Sequence, residues 1–155
     1  MSQDLLRHTV ATLAYRAGKA LRGAPPEFAE YRADSTGRTP VQILAHMGDL
    51  FDWALSIANG QQKWHDSEPL PWDREVLRFF TALQAFDARL ASGEPVQAPA
   101  GSLFQGPVAD AINHVGQLAM LRRMAGCPVG GENYFVAEIA VGRVGLEQAA
   151  PKVVF

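Results

Sequence analysis

The stretch TPVQILAHMGDLFDWALSIANG, residues 39–60, reads as a complete helix with its own start and stop signals. Thr39 suits the N-cap. Pro40 suits the first helical position, where its missing N–H costs nothing. Gln42 stands where a side chain can reach back to the cap. An apolar arc follows through Ile43, Met47, Leu50, Ala54 and Ile57 at three- and four-residue spacing, and Asn59-Gly60 closes it. His46 falls inside that arc, between Ile43 and Leu50 on a helical wheel. An imidazole set among residues destined for burial is the first sign of chemistry in the chain.

Three further segments carry the same period. The first begins near Ser2, lines up Leu6, Val10, Leu13, Ala17 and Leu21, and ends at Gly23 and Pro25-Pro26. In the third, Asp73 is placed to cap and Trp72 with Leu77 to form a hydrophobic staple. Its stripe of Val76, Phe80, Leu83, Asp87 and Leu90 runs to Ser92-Gly93. The fourth is expected from Pro107 to about Ala125, with Arg122 and Arg123 in its last turn and Gly126 as the break. The tail from Pro128 reads as a short helix followed by an extended end. Four amphipathic helices of about 18 to 20 residues, each about 30 Å long, can bury one another's stripes as a bundle. The long connections predict one or more crossovers. The fold class is therefore all-α: a four-helix bundle with long connecting loops and a short C-terminal extension, forming a single domain over residues 1–155.

Composition narrows the function classes. Of 155 residues, 48% are apolar and 19% charged, which suits a globular chain with a real core. Fourteen Lys+Arg against sixteen Asp+Glu, with no basic block, predict no nucleic-acid or membrane partner. No apolar run approaches the ~20 residues of a membrane span, and MSQDLLRHTV lacks a signal-peptide core. The lone Cys127 permits no internal disulfide, so the expected location is cytoplasmic.

Four histidines are present. His8, one residue off the first stripe, and His65, between Trp64 and Asp66 in a polar loop, read as surface or boundary residues. His114 lies on the inward side of the fourth helix, with Asp110 one turn before it and Gln117 one turn after. Residues four apart stand one above the other, so Asp110 and His114 can offer an oxygen and a nitrogen to one ion, each at about 2.0–2.2 Å for zinc. His46 is the available third ligand from a facing helix. A single inward histidine is more often a hydrogen-bonded core residue than a ligand, so a buried polar network stands beside the metal reading. The cost of a carboxylate turned into a bundle without a cation or donor supports the metal. Asp49 could accept from the His46 ring, although a solvated helix position explains it as well. Trp53 lines a pocket or the core boundary. Cys127 has only Arg122 and Arg123 near it in sequence and reads as structural. Gly126 and Gly130-Gly131 follow no strand, so they form no phosphate-binding loop, and no Cys-x-x-Cys, His-Glu-x-x-His or Gly-x-Ser-x-Gly motif occurs.

With these residues in place, VQILAHMGDL on the second helix and DAINHVGQLAMLRRMAG on the fourth resemble the DinB/YfiT-like superfamily of four-helix metal-binding proteins. The strongest piece is His114-Val115-Gly116-Gln117-Leu118; Gly131-Glu132-Asn133-Tyr134-Phe135 in the tail is also similar. The resemblance covers most of the chain in helix order and loop placement. It implies three metal ligands, which fall on His46, Asp110 and His114, with Asp110 standing where the family usually has a histidine. Two imidazoles and a carboxylate suit zinc or non-haem iron and leave Zn, Ni, Fe and Mn open. The resemblance further implies a metal-dependent transferase or hydrolase working on a small molecule, with a low-molecular-weight thiol as co-substrate in some members. An ion with an open position would lower the pKa of a thiol or water. Gln117 and Glu132 are candidates to orient substrate or relay a proton. The rival is a non-catalytic bundle, an interaction or stress-related protein with a His/Asp polar network. A homodimer is expected from surplus apolar residues on the third helix, Phe79 beside Phe80.

Overall fold

The computed structural model describes residues 1–155 and is built from helices: α1 (Gln3–Leu21), α2 (Pro40–Ala58), α3 (Trp72–Ala91), the one-turn α4 (Ala100–Leu103) and α5 (Ala109–Met124). A π-turn over Phe104–Val108 joins α4 to α5, and short 3-10 turns occupy Pro26–Glu30 and Tyr134–Val136. No strand forms; a single antiparallel bridge pairs Glu132 with Val154 in the tail.

Local chemistry accounts for most helix ends. Ser2 Oγ accepts from Leu5 N–H at the start of α1. At α2 the capping box is complete, with Thr39 N–H donating to Gln42 Oε1 at 2.9 Å and Gln42 N–H to Thr39 Oγ1 at 3.4 Å. Gly23, Gly60, Gly93 and Gly126, just beyond the four long helices, all take φ between +65° and +78°, the left-handed region where a Cβ is penalised.

Three expectations are corrected. α3 is capped by Pro71, with φ −51°, and Asp73 sits in the first turn, where its charge meets the positive end of the helix without capping it. The staple does not form either: Trp72 packs edge-on against Phe28 at 5.6 Å, and Leu77 is 61% exposed. The fourth helical segment starts seven residues before Pro107, at Ala100, and Pro107 lies inside the π-turn. Proline lacks the N–H that a regular α-turn would use and its ring crowds the preceding carbonyl, so the wider turn carries the chain past it.

α1 packs chiefly against α3 and α5, and α2 against the same two helices. The sequence-adjacent α1 and α2 therefore sit at opposite corners, and the long connections between helices are the crossovers that the loops predict. One apolar core runs through all four long helices, with Phe51, Phe79, Phe86, Leu44 and Leu83 fully buried. Phe79 and Phe80 both belong to it, so they supply no exposed face for a partner, contrary to the expectation from sequence. The reason is geometric: α3 meets both α1 and α2, so two adjacent wheel positions face inward. No helix is long and apolar enough to cross a membrane.

Candidate metal centre

α2 and α5 place the site where they pack together. Because Ile43, Met47 and Leu50 are buried in the core, the α2 arc carries His46 inward with them, to a side-chain exposure of 20%. On α5, Ala111, Val115 and Leu118 face the core and set the orientation of Asp110 and His114.

The three groups converge. Asp110 Oδ2 lies 3.5 Å from His46 Nε2, and Asp110 Oδ1 lies 3.5 Å from His114 Nε2. The two imidazole rings are perpendicular, at 88°, with centroids 4.9 Å apart. One donor atom from each residue falls within 4.8 Å of the other two. Two ligand atoms about 2.1 Å from one ion and about 109° apart are about 3.4 Å from each other. The 3.5 Å spacings are therefore those of a coordination edge, and too long for good hydrogen bonds. Asp110 is 46% exposed, which leaves the centre open on one side.

Gln117 orients the cluster. Its Oε1 is 2.7 Å from His114 Nδ1, which makes Nδ1 the protonated nitrogen of a neutral ring and leaves Nε2 with its lone pair toward Asp110. Burial first, then the neighbouring His114 and the Arg38 charge, push His46 below the ordinary imidazole pKa against the opposing pull of Asp110. A ring kept neutral is a ring free to donate to a cation. Trp64, which the sequence reading passed over, stands edge-on to His46 at 5.6 Å, and Trp53 stands edge-on to Trp64 at 5.8 Å. Trp53 thus supports the wall of the site from behind.

The other candidates lie elsewhere. Asp49 does not serve His46. It is buried, accepts from Ser67 N–H at 2.9 Å and Ser67 Oγ at 2.7 Å, and is paired with Arg78. Burial alone would raise this carboxyl, but Ser67 and Arg78 outweigh it and hold it below the usual range. Glu132 is equally buried, bonded to the Tyr15 hydroxyl and, at 2.6 Å, to Lys19 Nζ, in a clamp that ties the tail to α1. Neither role is recognisable from the residue's own helix or loop, because the partners of Asp49 lie 18 and 29 positions away and those of Glu132 113 and 117. His8 is exposed, as expected. His65 is half-exposed but joins Asp49 and Asp52, at 3.3 and 3.0 Å, in a second acidic cluster. The Arg78 guanidinium bonds both carboxylates there, so part of their charge is already compensated. Cys127 is half-buried, and only its backbone is engaged: its N–H donates to the Arg122 carbonyl and its carbonyl accepts from Arg122 Nε, both at 2.9 Å.

No family model matches this chain, and neither a curated protein nor a solved structure matches it.

Proposed function

We propose that this protein is a divalent-metal-dependent enzyme of the DinB-like type, acting on a small molecule by thiol transfer or hydrolysis. The observation that carries the reading is the placement of both Asp110 oxygens 3.5 Å from imidazole nitrogens of two different helices. His46, Asp110 and His114 would hold the ion, in a two-histidine, one-carboxylate set that suits zinc or non-haem iron. A divalent ion there would act as a Lewis acid, lowering the pKa of a thiol or water and polarising an electrophile. Gln117 keeps the His114 tautomer that ligation needs, and Trp64 shields one side of the His46 ring from water. No protein nucleophile is required, in keeping with the unpartnered Cys127 thiol. The lone cysteine also supports a reducing compartment. Exposed Leu77 on α3, at 61%, supports a homodimer contact there.

The rival, a non-catalytic bundle, draws support from the half-exposure of Asp110, which water can solvate without a cation. Metal analysis of protein purified without a histidine tag separates the two. Near-stoichiometric metal, lost in His114→Ala while the far-ultraviolet circular dichroism is unchanged, is the expected result. A metal-free protein that fails to take up added zinc, nickel, iron(II) or manganese sinks the enzyme reading.

A further inference from the structure

Two clefts flank the His46–Asp110–His114 cluster. The larger, about 410 Å³, has His114 and Gln117 in one wall and Ile43, Met120 and Leu121 as its apolar surface. The other, about 290 Å³, reaches His46 and is lined by polar groups that include Asp66 and Glu68. Arg38 borders both, close enough for its charge to act on the His46 ring.

Arg38, an exposed residue, is the one arginine that lines these two clefts, and it is unpaired there, as Arg74 and Arg123 are elsewhere on the surface. Arg7 is paired with Asp87, Arg78 with three carboxylates, and Arg122 with a set of backbone carbonyls. The Arg38 guanidinium forms neither an ion pair nor a hydrogen bond, yet the backbone of its residue is set on both sides. Thr39 after it caps α2, and Gly37 before it is held by Asp34, whose Oδ1 accepts from Thr36 N–H at 2.7 Å and Gly37 N–H at 2.6 Å. Those bonds engage Oδ1 of Asp34, whose carboxylate is the one negative charge lining the larger cleft, against Asp49, Asp66 and Glu68 in the other. A guanidinium with free donors, carried on a fixed stretch of backbone beside an apolar slot, matches a carboxylate or similar oxyanion attached to an apolar body. Asp66 and Glu68 oppose an anion in the second cleft and direct it to the first.

We propose that the 410 Å³ cleft is the substrate pocket and takes a small molecule with an apolar body and one anionic head group, the head group held by Arg38. This rests on the metal reading only for what happens at the far end of the ligand; the pocket itself is testable with or without metal. Phenylacetate and its uncharged counterpart phenylacetamide serve as probes, titrated into the full chain before and after zinc addition. Binding is followed by calorimetry and by the methyl resonance of Met120. Phenylacetate is expected to bind about tenfold more tightly than phenylacetamide, the low end for a charge-assisted bond, and to shift Met120. Arg38→Ala should abolish the difference with helix content and zinc uptake unchanged, while Arg38→Lys keeps part of it. The pocket is overturned by equal binding of the two probes, by no saturable phenylacetate binding, or by a preference that survives Arg38→Ala. A protein that takes up no zinc yet keeps the Arg38-dependent preference retains the pocket and loses the metal reading instead.

Discussion

At the scale of single residues, Gln117 decides which nitrogen of His114 can donate. A neutral imidazole carries its proton on one of two nitrogens, and the amide oxygen 2.7 Å from Nδ1 selects the tautomer with Nε2 free. Gln117→Leu is expected to weaken zinc binding by about tenfold or more, with stability changed by less than about 0.5 kcal/mol because the residue lies at the surface. Competition with a fluorescent chelator measures the first and urea unfolding the second. Unaltered zinc affinity would show that the tautomer is set by something else. Here the sequence was informative: Asp110, His114 and Gln117 are spaced three and four apart on one helix, so their adjacency follows from helical geometry alone. That His46 would meet them was only a candidate pairing, because the period of α2 says that its ring turns inward and not which helix it faces.

At the scale of elements, the segment between α2 and α3 is held by Arg78, and Arg78 is admitted by Gly48. Its guanidinium donates to the Ala45 carbonyl at 3.1 Å, to Glu75 at 2.8 Å, to Asp52 and Ser67 at 3.1 Å, and to Asp49. A Cβ on Gly48 would stand 2.6 Å from Arg78 Nη1. Glycine inside a helix costs about 1 kcal/mol against alanine, so the requirement must come from the close approach. The side chain is flexible, but both of its terminal nitrogens are committed, and moving it leaves Asp49 buried without its counter-charge. Gly48→Ala is therefore expected to destabilise by about 1–3 kcal/mol despite its better helix propensity, and to loosen the Trp64 segment. Urea unfolding and the fluorescence emission maximum of Trp64 in a Trp53→Phe, Trp72→Phe background report the two effects; a stabilised variant would refute the account. A glycine between Met47 and Asp49 gives no hint of this from α2 alone, since the guanidinium that needs the space comes from α3.

At the scale of the whole molecule, the tail is fastened through Glu132, whose side chain is fully buried against Tyr15 and Lys19. Burial by itself would raise the Glu132 carboxyl, but Lys19 and Tyr15 hold it below its ordinary value. The Tyr15 hydroxyl is pushed up to about 12 by burial and by that carboxylate. A carboxyl whose folded pKa is depressed binds fewer protons in the native state, so its stabilisation is full above about pH 4.5 and is lost as pH falls through the folded value. Asp49 acts in the same direction in acid. His46, kept neutral by burial, adds to the loss as pH falls below about 6.5, where the unfolded imidazole takes up a proton first. Glu132→Gln is expected to cost about 1–3 kcal/mol at pH 7 and to flatten the decline in stability below pH 4.5. Denaturation curves at a series of pH values test this, and an unchanged acid limb would remove Glu132 from it.

Helix existence, helix ends and the inward turn of His46 and His114 were settled by the chain itself, because a cap, a glycine or an apolar period acts within one or two turns. The π-turn around Pro107 was written there as well, in a proline that ordinary helix rules read as a start. The packing order of the helices, the meeting of Asp110 with both imidazoles, the diversion of Asp49 and Glu132 to ion pairs, and the unpaired state of Arg38 belong to the tertiary structure alone. Each depends on which side chain arrives from another element, and local periodicity carries no information about that partner.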